Sequence, residues 1–235
     1  ALPQFLRAGH GIRRYGFHGL AHAAMWQRWR RLEPSRGSGR VISFQLGAGC
    51  SVTAIAHGRA IDTSMGFTPL EGLVMATRCG DLDPGIAGFV QKAEALSPAA
   101  LENLLTHESG LRGLAGDGDM RALLARDDAA ARAAIEIYCY RARKYIGAYM
   151  AALGGVDAVL FGGGVGENAA AIRSLILAPL AGLGFVLDED ANARVHGDAA
   201  KISAAGSRVA LWVIPTDEAA VMAALAHDVV AASQP

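Results

Sequence analysis

Residues 157–168 read DAVLFGGGVGEN: an apolar, β-rich run that stops in three glycines, a valine and a fourth glycine before Glu167 and Asn168. A buried strand that sheds its side chains at the surface either turns very tightly there or brings its backbone against something else. The stretch leads into NAAAIRSLILAPLAGLG, helical in period and closed by glycine, with a helix start expected at about Asn168. RVALWVIP then reads as a second strand, and TDEAAVMAALAHDVVAA as a helix opened by Thr216 or Asp217. A strand–helix–strand unit of this kind normally joins parallel neighbours. Upstream, VISFQLGAGCSVTAIAHGRAIDTSM alternates three β-rich runs with two tight-turn signals, LGAG and HGR, the pattern of an antiparallel meander. The expected fold is an α/β domain whose mixed sheet combines that meander with parallel strands and is flanked by helices.

Between these parts, GFTPLEGLVMATRCGDLDPG is too rich in Gly and Pro for one regular element. From IAGFVQKAEAL to YRARKYIGAYMAALG the spacing is helical, with Ser97 placed to cap one helix and Glu102 close to a capping-box position. Residues 33–40 are the only linker-like stretch. Glycine is the compositional outlier, 29 of 235 residues, and it gathers at strand ends, unlike a linker's even spread. Twenty-two basic residues balance 22 acidic ones, which gives no global field for nucleic acid or an anionic membrane. Basic runs such as WQRWRRLEPSRGSGR read as solvated faces. Cys50, Cys79 and Cys139, an odd number without CxxC spacing, argue against a disulfide framework or zinc site and for a reducing, cytoplasmic compartment. No apolar stretch approaches the ~20 residues of a bilayer span, and no signal peptide is visible. The first residue is Ala1, not Met, so the chain is expected to begin partway through a longer protein.

Neither generic phosphate cradle is present: GxxxxGK[ST] is absent, and Glu167 stands where the third glycine of GxGxxG belongs. The glycine turns still offer free backbone N–H groups and room for a flat ring, at QLGAG as an anion nest and at 162–168 as a helix entry. Each has a bland alternative, a plain hairpin for the first and close packing for the second. Arg78 lies in MATRCGDLDP, either as a functional group in an ordered loop or as a salt-bridge partner of Asp81. His18 and His22, four residues apart, lack the glutamate and third ligand of a metal helix and read as packed or capping residues. Thr216, Asp217 and Glu218 follow a strand, where they cap a helix or offer carboxylate oxygens to a hard metal ion.

Taken together and in order, GIRRYGFHGLAH, GAGCSVTAIAHGRAIDTSMGFTPLEGLVMATRCGDLDPGI, VLFGGGVGEN and VIPTDE resemble the acetate kinases of the acetate and sugar kinase/Hsp70/actin superfamily. The resemblance extends over essentially the whole chain. It implies a ribonuclease H-like, actin-type ATPase domain, with residues 1–235 forming the C-terminal nucleotide-binding part. It implies ATP/ADP, Mg²⁺ and acetate as ligands and a homodimer as the assembly. By residue, it implies His18 and Arg78 as stabilisers of the transferring phosphoryl group. Gln45, Leu46, Gly47, Ala48 and Gly49 form the phosphate turn. Asp119, Met120 and Arg121 lie beside the nucleoside, and Gly164, Val165, Gly166, Glu167 and Asn168 form the adenosine turn. Phe17 and Pro69 wall the substrate methyl group, and Glu218 is linked to Mg²⁺.

The chain departs from the family pattern at Gln45 and Ala48, where the phosphate turn usually has His and Asn, and at Ala76, where glycine precedes the Thr-Arg pair. Family members also carry a first domain that supplies a catalytic aspartate, a carboxylate-binding arginine and a phosphate-contacting asparagine. Three functions follow from the resemblance: the C-terminal part of an acetate kinase, a propionate- or butyrate-type acyl kinase, or a nucleotide-binding remnant without chemistry.

Overall fold

A computed structural model describes residues 1–36 and 39–232. The chain opens with α1 (Gln4–His10) and α2 (Gly19–Leu32), followed by β1 (Arg40–Leu46), β2 (Cys50–Ala56) and β3 (Arg59–Thr63). Five helices come next: α3 (Pro84–Ala93), α4 (Pro98–His107), α5 (Gly110–Ala115), α6 (Met120–Leu124) and α7 (Ala129–Leu153). The last third contains β4 (Ala158–Gly162), α8 (Gly163–Asn168), α9 (Ala170–Leu177), α10 (Glu189–Ala193), β5 (Ala200–Lys201), β6 (Ala210–Val213) and α11 (Glu218–Ala232). Within the linker-like stretch, Pro34–Arg36 form a 3₁₀ turn, and residues 37 and 38 lie outside the described residues.

Among the described residues six strands form one sheet in the order β3-β2-β1-β4-β6-β5. The meander is antiparallel, whereas β1 pairs β4 and β4 pairs β6 in parallel, as the strand–helix–strand order requires. Two residues of β5, absent from the sequence reading, add an antiparallel edge against β6.

Period-two alternation divides the strands between two faces. Ile42, Phe44 and Leu46 of β1 and Val159 and Phe161 of β4 join the larger core with Tyr138, Ile146 and Tyr149 of α7. Phe44 and Phe161 stack there, with centroids 5.4 Å apart. Val41, Ala158, Leu160 and Trp212 meet Met25 and Trp29 of α2 on the opposite face. This second face is not apolar throughout. Toward its end β1 places Ser43 and Gln45 there, paired in register with Thr53 and Ser51 of β2. Ser43, Ser51 and Thr53 are all buried, so they need partners inside the protein.

The glycine run behaves differently from the expected turn. The helix begins at Gly163, five residues before Asn168, so that most of GGGVGEN is itself α8. Gly163 has φ +77°, and a β-carbon on it would lie 2.6 Å from the Leu46 carbonyl oxygen. A β-carbon on Gly162 would meet Met25 Sδ and Thr216 Oγ1. These two glycines are therefore explained by packing, while Gly164 has open space around it.

Candidate active site

The parallel strands β1, β4 and β6 end side by side, the usual place for a ligand crevice in an α/β sheet. Their ends are tied together by side chains. Glu167 Oε1 accepts from the backbone N–H groups of Gly163 (2.9 Å) and Thr216 (3.1 Å). Thr216 Oγ1 in turn donates to Gln45 Oε1 at 3.2 Å, which fixes the amide at the mouth of the glycine turn after β1. Within that turn the Gly47 N–H donates to the Gly49 carbonyl (3.1 Å), and the Cys50 thiol lies on the Gly47 carbonyl (3.2 Å). Leu46 is buried in the core below.

Residues 64–83, without helix or strand, wrap over this turn. Ala76 N–H donates to the Ala48 carbonyl. Ser109, Leu111 and Arg112 N–H groups donate to the carbonyls of Thr77, Met75 and Ala76, which holds the loop against the α4–α5 junction. Asp81 is not the partner of Arg78. It accepts from the Gly72 N–H (2.9 Å), the Tyr145 hydroxyl (2.8 Å) and Arg141 (3.4 Å), and so closes the loop. Arg78 Nη1 donates to the Pro69 carbonyl at 3.1 Å. The guanidinium is thereby brought over Gly49: a β-carbon there would lie 3.4 Å from Arg78 Nη1 and 3.6 Å from His18 Cε1. His18, the residue before α2, and Arg78, from the long loop, both approach Gly49.

His18 precedes α2 in the left-handed region, φ 57°, and makes no side-chain cap bond. Its Nδ1 lies 3.0 Å from Ser51 Oγ. His22, one turn on, places Nε2 2.7 Å from the same Ser51 oxygen and Nδ1 2.9 Å from Ser43 Oγ. The polar notch in the second face is thus filled by the two histidines. Burial, aided by the neighbouring His18 ring, pushes the His22 pKa down from 6.5 to about 3, so the ring is neutral in the fold. The unfolded chain takes up this proton near its ordinary pKa, and stability falls as pH drops from 6.5 toward 3. The slope is at most about 1.4 kcal/mol per pH unit. Urea unfolding at about pH 7.5 and pH 5 is expected to differ by ~2 kcal/mol on this account, with the difference reduced in His22→Asn. An unchanged difference in that variant would assign the acid sensitivity elsewhere.

The remaining expected residues are distributed unevenly. Gly118 packs against Ala76, a β-carbon there meeting the Ala76 carbonyl at 2.9 Å, so GDGDMR adjoins the arginine loop. Asp119 caps α6 and pairs with the exposed Arg121 at 2.8 Å, which holds the Asp119 carboxyl below its ordinary pKa. The Met120 side chain belongs to the core. Gly164 is open, Val165 packs on the core, and Asn168 Nδ2 donates to the Gly164 carbonyl. Phe17 lines a cavity of about 300 Å³ with Tyr15, His22, Trp26, Thr53 and Thr63; Pro69 is not among its walls. The Glu218 side chain lies outside the described residues. Sequence reasoning passed over Ser43 and Ser51, although period-two alternation places both on the face where His18 and His22 arrive.

A family model of the acetokinase family matches residues 1–224. The acetate kinase of Solibacter usitatus is 51% identical over 229 residues, covering 95% of this chain and 55% of the relative. That of Streptomyces coelicolor is 50% identical, covering 88% and 52%. Among solved structures, the acetate kinase of Porphyromonas gingivalis superposes with TM-score 0.94 at 38% identity, over 98% of this chain and 59% of that one. A propionate kinase from Francisella tularensis gives 0.89 at 39%, over 95% and 58%. The chain spans about half the length of the curated relatives it matches. A mixed sheet, a histidine and an arginine converging on a glycine turn, and likeness along nearly all its residues establish that the chain belongs to the acetokinase family.

Proposed function

We propose that this chain is the nucleotide-binding part of an acetate kinase, which transfers a phosphoryl group reversibly between ATP and acetate to give acetyl phosphate and ADP. The observation that carries the reading is the meeting of His18 and Arg78 over Gly49. Phosphoryl transfer to a carboxylate asks little covalent help of a protein and much positioning and charge neutralisation. Arg78 offers a planar fork to the equatorial oxygens, and its tether to the Pro69 carbonyl sets the direction of that fork. His18 donates to the same oxygens from across the turn. The backbone of Gln45, Leu46, Gly47, Ala48 and Gly49 receives the ATP phosphates; the Gln45 and Ala48 replacements leave its N–H donors in place. Asp119, Met120 and Arg121, with Gly164, Val165, Gly166, Glu167 and Asn168, border the nucleoside, and the open space at Gly164 admits the base.

Among the described residues no group of three or more His, Cys, Asp or Glu is gathered to hold a metal. Mg²⁺ in phosphoryl transfer takes one or two carboxylates, with phosphate oxygens and water completing its shell. Glu218, the first residue of α11, is the donor assigned here, and the ion would neutralise phosphate charge when bound. Phe17 and Pro69 border the acyl group. The rest of the family's length completes the site as an interdomain cleft; a homodimer and a cytoplasmic location complete the reading. No described helix is long and apolar enough to cross a membrane.

A short-chain acyl kinase for propionate or butyrate is the second reading, favoured by the cavity beside Phe17. One methylene shifts selectivity by only ~1–3 kcal/mol. Incubation with ATP, Mg²⁺, carboxylate and hydroxylamine traps any acyl phosphate as a hydroxamate. This chain alone is expected to give none, and the protein carrying the family's remaining length to give product, more with acetate than with propionate. ATP binding without hydroxamate in that longer protein would identify a nucleotide-binding remnant.

A further inference from the structure

We propose that Ser51 and His22 are positioning residues that hold His18 with its proton on Nδ1, so that Nε2 is the nitrogen presented to the transferring phosphoryl group. The inference rests on the reading of His18 given above, and it concerns a proton order that can be measured without turnover. Each serine hydroxyl has one hydrogen to give, and a neutral imidazole has one donor and one acceptor nitrogen. Those limits decide the order along the row. Ser43 Oγ approaches Met25 Sδ at 3.9 Å, and its hydrogen is taken to lie on that side. His22 Nδ1, 2.9 Å from that oxygen, must then be the donor. Because His22 is buried and neutral, its Nε2 carries a lone pair and accepts the Ser51 hydroxyl proton across 2.7 Å. The Ser51 hydrogen is now used, and Nδ1 of His18, 3.0 Å away, donates to the Ser51 oxygen.

The arrangement has two consequences. With Nδ1–H given to Ser51, His18 donates from Nε2 only as the imidazolium, and protonation there leaves every bond of the row intact, so the ring becomes a donor to the phosphoryl oxygens without turning. The bond to Ser51 also fixes the ring where its Cε1 lies 3.6 Å from the position of a Gly49 β-carbon, on the side where Arg78 Nη1 lies 3.4 Å from the same point, and a misplaced donor there would miss the phosphoryl oxygens. The backbone at His18 agrees: a left-handed φ of 57° on a non-glycine residue is uncommon and strained, consistent with fixing one side chain in one direction. Ser51 is fully buried in β2 and Ser43 in β1, so the row is anchored to two paired strands of the sheet. An outer partner that orients a working histidine typically contributes about 10- to 100-fold in activity.

Two measurements test this. Side-chain ¹⁵N resonances of histidine-labelled chain are expected to show neutral His18 protonated on Nδ1 and His22 likewise, with Ser51→Ala moving His18 toward the Nε2-protonated form. In the intact enzyme Ser51→Ala is expected to lower kcat by about 10- to 100-fold with little change in KM for ATP, and Ser51→Thr, which keeps the hydroxyl, to recover most of it. A wild-type His18 protonated on Nε2 when neutral overturns the proposal without any variant, as does a Ser51→Ala chain whose His18 resonances are unmoved. His18→Ala with normal turnover would instead remove the functional reading of His18 and leave the proton order standing.

Discussion

Arg78→Ala in the intact enzyme is expected to slow acyl phosphate formation by about 100- to 1,000-fold, the ~2.7–4 kcal/mol that one donor to a developing oxyanion typically supplies. KM for ATP is expected to change far less, because on the proposed reading the nucleotide phosphates are held by backbone groups of residues 45–49 that the substitution leaves alone. The loop itself should survive. Its anchors are the Asp81 contacts to Gly72, Tyr145 and Arg141 and the backbone bonds from residues 109–112. Arg78 adds one hydrogen bond to the Pro69 carbonyl, worth about 1 kcal/mol. Lysine at this position is expected to recover only part of the rate. Its ammonium is a point charge on a flexible stem and cannot keep the Pro69 tether while presenting a planar fork. Hydroxamate assays on the three proteins, with urea unfolding beside them, separate chemistry from folding. Turnover near normal in Arg78→Ala would take the residue out of the mechanism.

The sheet was legible because its signals are local. Alternation and the LGAG and HGR turns mark β1, β2 and β3, and the helix between β4 and β6 marks them as parallel. The edge strand β5 was not, since two residues carry no periodicity and pair only because β6 is there. The site divides along the same line. His18 and Arg78 were found through the resemblance of their motifs, but their meeting depends on hydrogen bonds between loop 64–83 and the α4–α5 junction, across about thirty residues of chain. The row through Ser43, Ser51 and His22 links residues 21 and 29 positions apart, a relation that no window of sequence displays. The Arg78–Asp81 pair, one of the two alternatives for Arg78, is not formed for the converse reason: two residues close in sequence were drawn to different partners by the fold.

The boundary of α8 was misread for a physical reason, and the same reason makes Arg173 a residue whose loss should destabilise the protein strongly. Three of six residues in Gly163–Asn168 are glycine, each disfavouring a helix by about 1 kcal/mol relative to alanine. Propensity therefore argues against a helix, and tertiary bonds must reverse the balance. At the N-terminal end Glu167 takes the Gly163 N–H. Near the other end Arg173, only 1% exposed, donates to the carbonyls of Gly166 and Glu167, both at 2.9 Å. It also reaches Asn192 Oδ1 at 2.6 Å and the Asn192 carbonyl at 2.8 Å, which joins α8 to α10. Burial lowers the Arg173 pKa to about 10, still well above neutrality, so the guanidinium stays charged while it makes these bonds. Arg173→Met fills similar space but leaves four acceptors short of a donor. Relief of the buried charge offsets part of that loss, and the net cost is expected to be about 3–5 kcal/mol. Against a typical total of ~5–15 kcal/mol, urea unfolding should detect it readily. Hydrogen exchange at residues 163–168 should accelerate in the same variant, and if residues 164–168 border the nucleoside as proposed, ATP binding should weaken with it. If Arg173→Met unfolds within ~1 kcal/mol of the parent with unchanged exchange there, the glycine helix draws its stability from packing of Val165 and Gly166 on β1 and β4, and not from the arginine.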